Sequence, residues 1–113
     1  MVKAASEDVH FRVLRVLENK PDISQRQIAE ELGVSLGAVN YCLRALIDKG
    51  QIKVRNFRSS DHKLRYAYIL TPHGLAEKAR LTTSFLKRKL AEYEALKAEI
   101  EILKGSLPEK PDS

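Results

Sequence analysis

Asn40 and Arg44 stand four residues apart, and Leu36, Gly37 and Tyr41 join them on one face when the stretch is wound as a helix. A carboxamide can pair bidentately with the edge of adenine, and a guanidinium with that of guanine. Tyr41 offers a hydroxyl to a phosphate or a ring to a thymine methyl. Gly37 adds no bulk. A helix buried in a small bundle has no need of such a face, whereas a helix laid in the major groove of a duplex does.

The flanking residues supply the helices that would present it. Ser24 is an N-cap with Gln27 three residues on, a capping box, and Ile23 with Ile28 forms the hydrophobic staple. Ile28, Ala29 and Leu32 share one face, and Gly33 supplies the left-handed residue that ends the helix. Ser35 then caps a second helix with the staple Val34 and Val39. Val39, Leu43, Leu46 and Ile47 form its apolar stripe, and Gly50 ends it. The spacing therefore predicts a helix-turn-helix over residues 24–49. Gln25 and Arg26 stand at the start of the first helix, placed to hold a nucleic-acid backbone. Ser35 both caps the second and can bring its free N–H groups to a phosphate.

Before this motif, residues 1–5 read as a frayed start, and a helix is expected from about Ser6 to Asn19, ended by Pro21. Its apolar set is too broad for one stripe. Val13, Leu14 and Leu17 suit the helix-turn-helix core. Phe11 and Val16 are expected to meet a second partner, or else to be ordinary exposed apolar residues. Ile23 can add a minimal strand to a later hairpin.

After the motif the period changes. Ile52 and Val54 alternate with Lys53 and Arg55, and Tyr66, Tyr68 and Leu70 with Arg65, Ala67 and Ile69. Alternation predicts two strands joined by the polar cluster from Arg58 to Lys63, a β-hairpin with a basic tip. Thr71 as N-cap and Pro72 at the first helical position then restart a helix running to about Lys104. Gly74 falls in its first turn, where glycine costs little. Thirty residues of helix span about 45 Å. Leu86, Leu90, Tyr93, Leu96, Ile100 and Leu103 follow at intervals of four, three, three, four and three, close to a heptad seam. Such a seam calls for another copy of itself, in an antiparallel or crossing pair that Phe11 and Val16 of the first helix help to hold, or for a different protein. Residues 105–113 are polar and proline-rich and are expected to be disordered.

The order of these signals resembles the winged helix-turn-helix regulators of the MarR type, and most of all the short exopolysaccharide-associated group. The matching segments are ISQRQIAEELGVS (23–35), LRALIDKG (43–50) and Tyr68 to Gly74. The resemblance covers roughly residues 10–104. It implies a mainly α fold with a small β-hairpin wing: a DNA-binding domain over residues 6–71 and a long coiled-coil-like dimerisation helix over 72–104. It also implies that the wing reaches the DNA backbone or minor groove, through Arg58, Lys63 and Arg65, with Arg55 lower on the first strand. Larger members add helices at both ends to build the dimer, with a ligand pocket between the dimer and DNA-binding parts. This chain has one helix before the motif and one after the wing, so a small-molecule effector is not expected.

The charge distribution agrees. Net charge is +5, and residues 40–70 carry seven Lys/Arg against two Asp/Glu, an excess equal to that of the whole chain. A cationic patch of this kind selects a polyanion. The single cysteine, Cys42, excludes an intramolecular disulfide, and neither a signal peptide nor a membrane span is evident, so a cytoplasmic protein is expected. Cys42 adjoins core Leu43 and reads as a packing residue more readily than as an oxidant sensor. His10, His62 and His73 lie in separate elements without metal-ligand spacing, and no phosphate loop or nucleophile motif is present. The sequence therefore predicts a non-enzymatic chain without cofactor or metal: a homodimeric regulator, more readily a repressor than an activator, that binds a pseudo-palindromic operator in double-stranded DNA and does not engage membranes. The alternative is a winged-helix protein–protein adaptor whose long helix binds another partner.

Overall fold

The computed structural model describes residues 2–58 and 60–109, in the order α1 (Val2–Asn19), α2 (Gln25–Leu32), α3 (Leu36–Asp48), β1 (Ile52–Arg58), β2 (Leu64–Leu70) and α4 (Pro72–Gly105). It divides into two compact units, Met1–Thr82 and Thr83–Ser113. Residues 72–82 of α4 thus belong with the elements before them. Of the expected disordered tail, Gly105 ends α4 and residues 110–113 lie outside the described residues.

Local signals set the helix ends. Ser24 Oγ accepts from Gln27 N–H at 3.1 Å while Gln27 Oε1 accepts from Ser24 N–H at 3.0 Å, the reciprocal capping box. Gly33 adopts φ 68° and closes α2 in a Schellman motif, Gly33 N–H to Glu30 O and Val34 N–H to Ala29 O. The Arg12 guanidinium adds a bond to Leu32 O at 2.9 Å. Ser35 Oγ caps α3 by accepting from Ala38 N–H at 3.0 Å. Gly50, at φ 71°, ends α3 with the same motif, Gly50 N–H to Ile47 O and Gln51 N–H to Leu46 O.

The first unit's core gathers Val13, Leu14 and Leu17 of α1, Ile28 of α2, Val39, Leu43 and Leu46 of α3, and Ile52 of β1, each under 2 % exposed. Burying such a side chain is worth about 1.5–3 kcal/mol. Leu81 of α4 is also buried, and Lys78–Glu18 and Arg80–Glu7 ion pairs join α4 to α1.

Several expectations are corrected. Helix α1 begins at Val2, not near Ser6, because Lys3, Ala4 and Ala5 favour helix and nothing before Pro21 interrupts it. Phe11 needs no second partner: it is 6 % exposed, since α1 packs against α2, α3 and β2 and so buries more than one stripe. Val16 is half-buried. Ile47, placed in the α3 stripe, lies at its edge, 36 % exposed. Ile23 is buried but forms no strand; the hairpin instead bonds the chain two residues earlier, Tyr68 N–H to Pro21 O at 3.0 Å.

The strands pair antiparallel from Ile52↔Leu70 to Arg58↔Leu64. Only the base of the hairpin is covered: Ile52, Ala67 and Tyr68 are buried, whereas Val54 and Tyr66 are exposed. Where β2 runs into α4, Thr71 fastens it to the end of α3. Thr71 N–H donates to Gln51 O at 3.0 Å, and Thr71 Oγ1 donates to Gly50 O at 2.6 Å while accepting from Gly74 N–H at 3.0 Å.

In the second unit, Leu86, Leu90, Tyr93, Leu96, Ile100 and Leu103 are each between 42 and 60 % exposed. Phe85 lies under the cations of Arg88 and Lys89, at 5.6 and 5.2 Å from the ring centre.

Candidate nucleic-acid interface

Helix α3 has two unlike sides. Val39, Cys42, Leu43 and Leu46 are at most 2 % exposed and fix it to the core. On the other side Leu36, Gly37, Asn40, Tyr41 and Arg44 all face solvent, Tyr41 at 77 %. The face foreseen from spacing is therefore presented whole. Burial pushes the Cys42 thiol up to about 12, against the weaker opposing pull of Lys49, so the thiolate a sensor requires is disfavoured.

Gly37 is informative here. A Cβ built on it would meet only Ser35 Oγ, at 3.9 Å. The fold does not require glycine, yet glycine inside a helix costs about 0.8–1 kcal/mol relative to alanine. Gly37 lies in the first turn of α3 and carries only part of that cost, so Gly37→Ala is expected to leave stability unchanged or slightly raised, while weakening any complex in which a partner's backbone or base edge approaches α3 closely. Paired thermal unfolding and DNA titrations check both; a gain in both would remove Gly37 from the interface.

The start of α2 abuts this face. Gln25 is half-buried and Arg26 exposed. Asn40 Nδ2 donates to Gln25 Oε1 at 3.3 Å, and Gln25 Nε2 donates to the Tyr68 hydroxyl at 2.9 Å. Two predicted contact residues from different helices are thus one hydrogen-bonded pair. Strand periodicity marks Tyr68 only as a strand residue; the signal for its wider role is that a buried tyrosine hydroxyl needs a partner.

The basic residues of the hairpin do not form a single cluster. Cross-strand partners share a face, and the register puts Lys53, Arg55 and Arg65 on one side and Arg58 on the other. Lys63 lies in the connecting turn. The tip is folded on itself: Arg65 Nη2 pairs with Asp61 Oδ2 at 3.4 Å, Asp61 Oδ1 accepts from Lys63 N–H at 3.3 Å, and Arg58 Nη1 donates to His62 O at 3.4 Å. His62 takes the left-handed conformation, φ 63°, that reverses the chain here.

With this geometry in place, residues 6–53 match the winged helix-turn-helix DNA-binding family. Over those residues the chain resembles that family, and its hairpin completes a winged helix-turn-helix fold. Its fold is that of MarR-type regulators. A MarR/EmrR family transcriptional regulator from Acinetobacter sp. ADP1 superimposes with a TM-score of 0.58 at 25% identity, over 85% of this chain and 72% of that one. The adhesin competence repressor of Streptococcus pyogenes gives 0.61 at 19% identity, over 86% and 73%, and the PcaV transcriptional regulator of Streptomyces coelicolor 0.58 at 18%, over 88% and 79%. At those identities the likeness is one of fold. These matches speak to the MarR-type winged helix and not to its exopolysaccharide-associated group. An uncharacterized protein of Methanocaldococcus jannaschii is 35% identical over 66 residues, which is 58% of this chain but 22% of that protein. The chain thus spans less than a quarter of the curated relative it matches. No helix among the described residues is long and apolar enough to cross a membrane.

Within the winged helix-turn-helix, α3 is the second helix of the pair and β1–β2 the wing. Gln25, Arg26, Ser35, Leu36, Gly37, Asn40, Tyr41 and Arg44 belong to the helix pair. Arg55, Arg58, Lys63 and Arg65 belong to the wing.

Proposed function

We propose that this chain is a homodimeric, sequence-specific DNA-binding transcriptional regulator that acts as a repressor. The observation that carries the reading is the solvent-exposed face of α3, with Asn40, Tyr41 and Arg44 on it, backed by a helix side that is almost completely buried. In this scheme each α3 enters a major groove. Asn40 pairs with adenine and Arg44 with guanine, and Leu36, Gly37 and Tyr41 set the approach. Gln25, Arg26 and the α3 N-terminus at Ser35 hold phosphates, and the wing cations track the backbone or minor groove.

The dimer follows from α4. Its half-exposed seam from Leu86 to Leu103 supports pairing with a second copy, which sets two recognition helices about one helical turn, ~34 Å, apart on a pseudo-palindrome. Phe11 no longer contributes, since the core absorbs it, and Val16 is at most a marginal addition. A dimer seated on an operator excludes other proteins without further contacts, which favours repression. The scheme needs no small-molecule effector.

Titration of random duplex DNA against salt tests the reading. Binding at low salt is expected, with log affinity falling steeply and linearly as log salt rises, by about 0.9 per phosphate neutralised. No binding to duplex at low salt would point instead to a protein–protein adaptor.

A further inference from the structure

Building on the DNA-binding reading, we infer that Tyr68 is a positioning residue for base recognition: through Gln25 it holds the Asn40 carboxamide in place to meet the edge of a base. The Tyr68 ring is 9 % exposed, and its backbone N–H is tied to Pro21 O at 3.0 Å, so its hydroxyl is a fixed point at the base of the wing. That hydroxyl accepts from Gln25 Nε2 at 2.9 Å, and the other end of the amide, Oε1, faces α3. There Oε1 accepts one Nδ2 proton of Asn40 at 3.3 Å.

An amide oxygen cannot accept from another amide oxygen. The two amides therefore meet nitrogen to oxygen, and with the Tyr68 hydroxyl, a donor or an acceptor, anchoring the far end, the relay restrains where the Asn40 carboxamide sits. Asn40 keeps its Oδ1 and its second Nδ2 proton for the outside, the acceptor–donor pair that adenine N6 and N7 require. Gln25 is the first residue of α2 and Asn40 lies in α3, so the relay also ties wing, first helix and recognition helix together where sequence is read. Tyr68 itself touches no base in this scheme and acts only through Gln25.

The test uses the full chain, its Tyr68→Phe, Asn40→Ala and double variants, a duplex enriched from a random pool by the parent, and single-base-pair variants of that duplex. Phenylalanine keeps the buried ring, and thermal unfolding verifies that each variant is folded. For Tyr68→Phe, preference for adenine at the position read by Asn40 should fall about five- to tenfold, a large part of what one bidentate pair confers. The salt slope should not change. Adding Tyr68→Phe to Asn40→Ala should cost no further discrimination, because the two act as one unit. Independently of DNA, the side-chain amide resonances of Asn40 should shift in Tyr68→Phe. Unaltered amide resonances, unchanged base preference, or additive losses in the double variant would each overturn the inference while leaving DNA binding standing. Failure of the parent to bind any duplex would overturn the DNA-binding reading and the relay's purpose with it.

Discussion

Gly74→Ala is expected to cost about 3 kcal/mol or more, or to prevent folding outright, although alanine is the better helix former. A Cβ at this position would lie 1.9 Å from Gln51 O and 2.9 Å from Gln51 C. Both are backbone atoms, and Gln51 is itself buried at 7 % exposure, so neither side can swing away. Relief requires moving the first turn of α4 off the end of α3. That movement breaks the bonds from Thr71 to Gly50 O and Gln51 O and strips the cap from Gly74 N–H. It also unseats the segment that leads β2 into α4. Helix propensity alone gives the opposite sign, a small gain in this first turn. Urea unfolding followed by circular dichroism separates the two. Gly105→Ala serves as the control, because a Cβ there meets nothing within 4 Å. If Gly74→Ala were as stable as the parent, the contact between the start of α4 and Gln51 would not exist as described.

The second large effect concerns assembly. Replacing Leu90 and Leu96 together by glutamate should turn the proposed dimer into a monomer and lower affinity for a palindromic duplex by about a hundredfold or more. Both side chains are more than half exposed in the single chain, at 54 and 55 %, so the first unit loses none of its packing. In the dimer they would form part of an apolar seam. Each buried leucine contributes about 1.5–3 kcal/mol, and the double variant removes four from a symmetric pair while adding four like charges. The DNA effect follows from linkage: a joined second module binds at an effective concentration in the millimolar range, and a monomer forfeits this. Sedimentation velocity reads the first consequence and duplex titration the second. An unchanged sedimentation coefficient would move the dimer interface away from the seam.

Much of this was legible in the sequence because the decisive signals are local. Ser24 with Gln27, Gly33, Ser35, Gly50 and Thr71-Pro72 each act within a few residues, and each sets the helix end its chemistry implied. The exposed face of α3 was legible for the same reason: one side of a short amphipathic helix determines the other. What escaped depends on contacts between residues far apart in the chain. Gly74 reads as an inexpensive glycine until Gln51, from the end of another helix, is brought beneath it. Tyr68 reads as strand periodicity until α2 places Gln25 against its hydroxyl. Phe11 reads as surplus until three elements surround α1. The basic tip reads as one cluster until the strand register divides Arg58 from Arg55 and Arg65.

The most direct measurement is selection of duplexes from a random pool by the full chain, followed by sequencing of the bound fraction. Two copies of the α3 face, held by paired α4 helices, should enrich an inverted repeat whose half-site centres lie about 10–10.5 base pairs apart. Arg44→Ala should relax one position in each half-site. A bound pool as random as the input, or enrichment of a single unrepeated site, would contradict the account.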